Sequence, residues 1–167
     1  MSSEEMEKKA RKYLPELFVS DFDLIKQRAY DLAAQLIQGV VDDQVIRSMD
    51  PTRQETLLEN VEKENPFVQF LYVTDLEGRK ITRNITRPED RAKYEHIGVD
   101  VDYSNREWFI EPLKTGMIHV TDFYTSVITG ALCITVSAPI RNEDEEIVGI
   151  LGMDLRFEEL VKAEDLT

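Results

Sequence analysis

Two side chains suited to binding an anion lie two positions apart in the sequence, at Arg106 and Trp108. A guanidinium presents parallel N–H donors that match the two oxygens of a carboxylate, and the indole N–H beside it adds another donor. Phe109 follows directly and is predicted to supply an apolar wall. The stretch therefore predicts a site for a small carboxylate, and the competing interpretation is a surface ion pair between Arg106 and a nearby glutamate.

A carboxylate near the C-terminal end of the chain, Asp154, lies in a run of apolar and glycine residues. Alternate side chains of a strand point to the same face, so Asp154 is predicted to share its face with Gly152 and to have room there for a ligand. A buried carboxylate needs partners. We expect Tyr124 to add a hydroxyl group, and a purely structural Asp154 would be bound by backbone amides alone.

Metal, cofactor and nucleophile chemistry is not favoured by the sequence. The two histidines, His96 and His119, have no companions at metal-ligand spacing, so we predict no metal, haem or other cofactor. Cys133 is predicted to be a small buried residue, because no base accompanies it. An acid–base enzyme that uses Asp122, Asp154 and His119 remains an alternative, although the strand pattern does not bring the three to one substrate.

The charge balance argues against several classes of partner. The 167 residues contain 33 Asp and Glu against 20 Lys and Arg, a net charge of −13 at pH 7. Such a chain repels the phosphates of nucleic acids and anionic membranes. No window approaches the ~20 apolar residues of a transmembrane helix. The first residues lack the apolar run of a secretory signal, which predicts a cytoplasmic protein if Met1 is the native start.

The elements that must position these side chains begin with helices. Apolar residues recur at spacings of three and four over residues 20–49, which predicts one long amphipathic helix. Asp50 and Pro51 predict a second helix that runs to about Glu64. A helix of some thirty residues spans about 45 Å, more than a small sheet covers. We therefore expect a homodimer that pairs through the long N-terminal helix.

Strand patterns occupy most of the remaining sequence. Five apolar or alternating stretches predict an antiparallel sheet, and they are residues 67–73, 80–84, 117–121, 131–138 and 147–155. A short helix is predicted over residues 105–113, with Ser104 as its cap and Gly116 as its stop, and a last helical turn over residues 157–162. Helices followed by a sheet predict an α+β fold.

Four blocks in the second half of the chain follow one another in a set order. They are Asp-Tyr-Ser-Asn-Arg-Glu-Trp-Phe (102–109), Val-Thr-Asp-Phe-Tyr (120–124), Thr-Gly-Ala-Leu-Cys-Ile-Thr-Val-Ser-Ala-Pro-Ile (129–140) and Ile-Val-Gly-Ile-Leu-Gly-Met-Asp-Leu (147–155). With the helix-then-sheet pattern they resemble a single Cache domain, a sensor module of bacterial chemoreceptors, histidine kinases and cyclases. The resemblance covers residues 20–162, between a charged extension at 1–19 and a tail at 163–167. It implies a PAS-like five-stranded antiparallel sheet after a long N-terminal helix, and a sensor in signal transduction rather than an enzyme.

The resemblance also implies a small-molecule site on one face of the sheet. In amino-acid-binding Cache domains an Arg and a Trp hold the ligand carboxylate, whereas tyrosines and acidic residues hold its ammonium group. The ligand-binding residues implied here are Arg106, Trp108, Phe109, Tyr124, Asp154, Tyr72 and Tyr103. Val101, Phe109 and Ser126 replace the Tyr, Tyr and Asp of that pattern. The resemblance therefore favours a small organic carboxylate, with an amino acid as the alternative.

Two further expectations concern signalling. Ligand binding is expected to shift the segment 85–110 against the long helix, because a ligand moves an equilibrium only through contacts that differ between states. Either an unknown downstream partner reads the change, or the chain is an extracytoplasmic sensor module cut from a membrane receptor. A dimerisation scaffold without any ligand is the remaining alternative.

Overall fold

The computed structural model of the protein describes residues 2–6, 8 and 19–163. From residue 19 onward the helices are Val19–Val41, Gln44–Arg47, Pro51–Glu64, Arg91–Tyr94, Glu107–Thr115 and Phe157–Ala163, with a 3-10 turn at Pro88–Asp90. The strands are β1 (Val68–Thr74), β2 (His119–Val120), β3 (Tyr124–Thr125), β4 (Leu132–Arg141) and β5 (Ile147–Arg156). Much of the predicted extension, and the tail after residue 163, lie outside the described residues.

The strands form one antiparallel sheet, which confirms the predicted α+β class. The order is β1-β5-β4-β2, and β3 pairs with another part of the β4 edge that β2 occupies. The two long strands β4 and β5 therefore lie in the middle of the sheet. In the register, Asp154 of β5 lies directly between Thr135 of β4 and Phe70 of β1.

The fifth strand is not the one that the hairpin pattern predicts. Residues 80–84 touch β1 through an isolated bridge between Thr74 and Lys80 and form no strand. The hydroxyl group of Thr82 accepts the backbone N–H of Val73 at 3.0 Å, in the place that a strand carbonyl would take. The two residues of β3 complete the sheet instead.

The long helix ends at Val41 and does not continue to residue 49 as predicted. Asp43 has extended torsions, and its carboxylate accepts the backbone N–H of Val45 at 2.8 Å, so it caps the separate helix Gln44–Arg47. The long helix has 23 residues, about 35 Å, and the homodimer stays a prediction. Its apolar face is buried at Ile25, Ala29, Ala33, Ile37 and Val40. No described helix is both long and apolar enough to span a bilayer.

The predicted helix after Asp50 is confirmed over Pro51–Glu64. The Asp50 carboxylate accepts the backbone N–H of Thr52 at 3.1 Å, and Pro51 occupies the first helical position, where a missing N–H costs nothing. Leu58 is fully buried and faces the sheet core. Capping by the Asp-Pro pair is therefore sufficient to place this helix from sequence.

The helix Glu107–Thr115 also lies close to its predicted position. It ends at Gly116, as predicted, where a φ of 70° lies in the left-handed region that glycine adopts without strain. Its N-cap is Arg106, which corrects the prediction of Ser104. The correction matters for function because it places Arg106 at the N-terminal end of this helix.

The two faces of the sheet have different neighbours. One face packs against the long helix in the main hydrophobic core, through Leu71, Val73, Ile134, Val136, Leu151, Met153 and Leu155. Tyr72 of β1 and Asp154 of β5 alternate with those core residues, so they belong to the second face. The helix Glu107–Thr115 packs over that second face, against β4 and β5.

The segment after β1 is fixed to the preceding helix by one arginine. The guanidinium of Arg83 contacts the carboxylates of Glu55 at 3.1 Å and Glu59 at 3.3 Å, both on Pro51–Glu64. A third carboxylate, that of Glu95, lies 2.9 Å away. The segment is thereby held beside the second face of the sheet.

Candidate functional site

A cavity of about 630 Å³ opens over the second face of the sheet. The sheet forms its floor, and the first turn of Glu107–Thr115 and the loop Thr121–Ile128 contribute to its walls. All the predicted ligand-binding residues except Phe109 line it, namely Arg106, Trp108, Tyr124, Asp154, Tyr72 and Tyr103. The fold therefore brings residues from four separate parts of the chain to one cavity.

Asp154 lies on the floor of this cavity at the end of a hydrogen-bonded chain. Its Oδ1 accepts the hydroxyl of Tyr72 at 2.8 Å and the hydroxyl of Thr135 at 2.8 Å. The Tyr124 hydroxyl lies 2.5 Å from Thr135 Oγ1. Because Thr135 has a single hydroxyl hydrogen and donates it to Asp154, Tyr124 is the donor to Thr135. All three hydroxyl groups are thus aligned towards one carboxylate.

The environment of Asp154 opposes its negative charge. Burial raises the pKa of this carboxyl above its ordinary value, while the hydrogen bonds from Tyr72 and Thr135 and the positive charge of Lys80 act to lower it. Burial also raises the pKa of Tyr72, so its phenol stays neutral and remains a donor. A cationic group placed in the cavity would relieve the cost of the Asp154 charge.

Arg106 and Trp108 lie at the wall of the cavity, at the N-terminal end of the helix Glu107–Thr115. The backbone N–H of Arg106 donates to the carbonyl of Tyr103 at 2.9 Å, which fixes the start of the helix. Its side chain is exposed, and among the described residues it has no ion pair or side-chain hydrogen bond. The competing interpretation, a surface ion pair with a nearby glutamate, therefore finds no support in the described part of the chain. The Trp108 ring packs against the rings of Tyr72 and Tyr103, with centroids 5.1 and 5.5 Å away.

Two sequence-based expectations about this site are wrong in detail. Phe109 does not line the cavity: it is buried below Trp108, whose ring it meets edge-on at 6.3 Å, because adjacent helical residues face different directions. The space above Gly152 is not open to a ligand either. The ring of Tyr72 fills it, and a Cβ atom on Gly152 would overlap that ring. The glycine therefore makes room for the tyrosine that bonds Asp154.

Gly152→Ala is expected to destabilise the protein by roughly 1–3 kcal/mol, the usual cost of overpacking a close-packed interior. The added methyl group must displace the Tyr72 ring and weaken its hydrogen bond to Asp154. Urea denaturation followed by circular dichroism measures the change. Gly39→Ala is the matched control: no atom lies within 4 Å of its new Cβ, so it should stabilise the long helix by up to ~1 kcal/mol. Equal stability of the two variants would contradict the packing of Tyr72 over Gly152.

Lys80 is a cavity residue that the sequence analysis missed. Its ammonium lies over the rings of Tyr72 and Tyr103, 4.3 and 4.9 Å from their centroids, and donates to Asn84 Oδ1 at 2.7 Å. Burial lowers its pKa from 10.5 to about 8, although the charge of Asp154 acts in the opposite direction. The residue follows a turn and lies on no regular element, so no periodicity pointed to it.

The three residues of the acid–base alternative, Asp122, Asp154 and His119, bond to different partners. His119 Nε2 lies 2.5 Å from a carboxylate oxygen of Glu107 and does not line the cavity. Asp122 lines it, but its carboxylate pairs with Lys26 at 3.1 Å and accepts the Tyr30 hydroxyl at 3.2 Å, both on the long helix. The structure thus joins a wall of the cavity to the long helix rather than building an acid–base pair.

Residues 54–162 match the family described as methyl-accepting chemotaxis protein-like, first PDC sensor domain. The chain belongs to this family. The match confirms the resemblance to a single Cache-type module, and the PDC domain is a chemoreceptor-like sensor domain. Sensor domains of this family are typically non-catalytic.

Solved structures with the same fold include ligand-binding domains of chemoreceptors. That of Campylobacter jejuni Tlp3, in complex with L-valine, is 20% identical with a TM-score of 0.61, over 86% of this chain and 57% of that one. That of the Pseudomonas aeruginosa PAO1 amino acid chemoreceptor PctC, in complex with GABA, is 21% identical with a TM-score of 0.61, over 92% and 66%. At these identities the likeness shows the shared fold.

One relative in sequence is named as a synthase and not as a chemoreceptor. The protein named citrate (Re)-synthase from Syntrophus aciditrophicus (strain SB) is 52% identical over 162 residues, which are 97% of this chain and 26% of that protein. The PDC domain therefore spans about a quarter of the length of this relative.

Proposed function

We propose that the PDC domain senses an amino acid, which binds in the cavity over the second face of the sheet. The observation that carries the proposal is the pairing of opposite charges across one space. Arg106, without an ion-pair partner among the described residues, lies at the wall, and Asp154, whose charge lacks a close cation, lies on the floor. An amino acid carries a carboxylate for the first group and an ammonium for the second.

The surroundings of Arg106 and Asp154 support a ligand whose carboxylate faces the first and whose ammonium faces the second. Arg106 is the N-cap of the helix Glu107–Thr115, and the positive dipole at that end of the helix also favours an anion. The Trp108 indole and the Tyr72 ring form an aromatic wall, and aromatic faces stabilise an ammonium. Exposed Ile97 and Ile128 at the rim offer contacts to an apolar part of the ligand.

The amino acid is preferred over the organic carboxylate that the sequence favoured. A plain carboxylate would pair with Arg106 and leave Asp154 without a cation close to it. Two neighbours in fold are described in complex with L-valine and with GABA, both of which carry an amine and a carboxylate. Of the three departures from the family pattern, Val101 and Phe109 do not line the cavity, whereas Ser126 does, so Asp154 is the carboxylate proposed to hold the amine.

How ligand binding is signalled from the cavity to the long helix is also a proposal. Asp122 and Tyr124, two positions apart in the sequence, both line one wall of the cavity, and Asp122 bonds Lys26 and Tyr30 of the long helix. The ring of Phe123, between them in sequence, packs against Tyr30. Movement of this wall on ligand binding would therefore be transmitted to the long helix, at which a homodimer partner or a downstream protein would read it.

The relation to citrate (Re)-synthase supports a second role. This chain matches a sensor family and is 52% identical to about a quarter of that longer protein, which favours a regulatory role for the shared part. We infer that, within a longer protein of this kind, the cavity would bind a metabolite that adjusts a catalytic part elsewhere in the chain. A titration with citrate tests the simplest case, in which the ligand is that metabolite itself.

Intrinsic fluorescence provides a direct test, because Trp108 is the one tryptophan of the chain and lines the cavity. The protein is screened with amino acids, and the tightest ligand is compared with its deaminated acid and its decarboxylated amine. We expect the amino acid to shift the emission and raise the melting temperature, and each fragment to bind at least about tenfold more weakly, since each leaves one charge unpaired.

Two results would contradict the proposal in different ways. Equal binding of the deaminated acid would show that Asp154 does not hold an amine, and the ligand class would return to organic carboxylates. No response to any amino acid or organic acid, with the melting curve unchanged, would favour the dimerisation scaffold.

A further inference from the structure

The ammonium of Lys80 is held in a fixed place at the cavity wall. Asn84 Oδ1 accepts one of its hydrogens at 2.7 Å, and the amide nitrogen of Asn84 in turn donates to the carbonyls of Ile97 at 2.6 Å and Tyr94 at 3.1 Å. A Cβ atom on Gly98 would lie 3.4 Å from the lysine Nζ, so the backbone approaches closely there. An ammonium has three donors, and two of them remain for a further partner.

No carboxylate of the described residues neutralises this ammonium at close range. None of their carboxylate oxygens lies within 4.0 Å of Lys80 Nζ. Asp154 acts on it from a greater distance, and its Oδ1 already accepts two hydroxyl groups. The faces of Tyr72 and Tyr103 stabilise a cation, but less than a carboxylate would in a partly desolvated site.

The balance of unpaired charges around the cavity is positive. Two other acids of the wall already bond residues outside the cavity lining: Glu107 is hydrogen-bonded to His119, and Asp122 is paired with Lys26. The groups that remain are Lys80, Arg106 and Asp154, two cations and one anion. A neutral amino acid brings one charge of each sign and leaves one cation over. An amino acid with an acidic side chain brings one more negative charge and balances the cavity.

We propose that Lys80 is a second anion-binding residue of the cavity and selects an amino acid with an acidic side chain. The inference rests on the proposed amino-acid site and adds a specificity to it. The main-chain carboxylate of the ligand pairs with Arg106, its ammonium with Asp154, and its side-chain carboxylate with Lys80. Tyr103 lies between the two cations: its ring is 4.9 Å from Lys80 Nζ, and burial raises the pKa of its phenol although the charge of Arg106 acts in the opposite direction.

The test uses ligand pairs that differ only in this charge. L-aspartate is compared with L-asparagine, and L-glutamate with L-glutamine, by isothermal titration calorimetry on the full chain. We expect the acid of at least one pair to bind about tenfold or more tightly than its amide, since a charge-assisted hydrogen bond is worth that much. Lys80→Met should remove the preference, so that acid and amide bind equally.

Lys93→Met is the matched control, because that lysine lies over the ring of Tyr94 at 5.1 Å and does not line the cavity. It should keep the preference for the acid. Lys80→Gln, which retains a polar end near Asn84, serves if the methionine variant does not fold. Amides that bind as tightly as acids to the unaltered protein would overturn the role of Lys80 while leaving the amino-acid site intact. Failure of acids and amides alike would overturn the role of Lys80, and the wider fluorescence screen would then decide whether the cavity binds any amino acid.

Discussion

Asp154→Asn is expected to lower the affinity for the amino-acid ligand by at least about 30-fold and to raise the stability of the ligand-free protein at pH 7. Removing one member of a desolvated charge pair costs about 2–5 kcal/mol of binding. Asparagine has the size of aspartate and still offers an oxygen to Tyr72 and Thr135, so the floor of the cavity keeps its shape. The fluorescence of Trp108 measures the affinity.

The gain in stability follows from the direction of the Asp154 pKa, which burial raises above the ordinary value of 3.8. An acid whose pKa is higher in the folded than in the unfolded state stabilises the fold fully below the unfolded value. That contribution is lost as the pH rises through the folded value. Asparagine does not titrate. Urea denaturation should therefore show the largest advantage of the variant at pH 7 and none near pH 3.5.

Asp144→Asn provides the control for both effects, because that carboxylate lies exposed in the turn between β4 and β5. It should change neither the ligand affinity nor the pH dependence of stability. If Asp154→Asn bound the ligand as tightly as the unaltered protein, the ammonium would have another partner. If it were also less stable at pH 7, Asp154 would be a structural residue held by its hydrogen bonds.

Residues of the site that lie on regular elements were predictable from sequence. Arg106 and Trp108 share one helical turn, and Asp154 lies in an alternating strand, so local pattern and the family blocks placed all three at the cavity. The wrong prediction for Phe109 came from the same local pattern. Residues adjacent on a helix point about 100° apart, and Phe109 turns into the interior while Glu107 and Trp108 line the cavity.

Features that depend on irregular backbone were not predictable. Lys80 reaches the cavity because Thr82 and Asn84 bond the backbone with their side chains, which produces no periodicity. Because side chains replace the backbone as hydrogen-bond partners there, residues 80–84 do not form the predicted strand. The space above Gly152 depends on the rotamer of Tyr72, a contact between two strands that no single stretch of sequence contains.

Arg106→Met is expected to weaken binding of the amino acid by roughly 10- to 150-fold, because a hydrogen bond to a charged group contributes about 1.5–3 kcal/mol. The melting temperature of the ligand-free protein should stay unchanged, since the side chain is exposed and makes no ion pair or hydrogen bond with the described residues. Titration calorimetry and thermal denaturation measure the two quantities. Arg28→Met, at an exposed position of the long helix, is the matched control and should leave both unchanged.

Arg106→Lys distinguishes the charge of the side chain from its geometry. A lysine keeps the positive charge but cannot donate two parallel hydrogen bonds to one carboxylate, so it should recover only part of the affinity. Full recovery would mean that Arg106 contributes its positive charge but not a pair of parallel hydrogen bonds. Lys80 would then be the main carboxylate partner. Unchanged affinity in Arg106→Met would show that the anion binds elsewhere in the cavity. The exposed guanidinium is thus the group whose removal affects the ligand alone, because the fold does not use it.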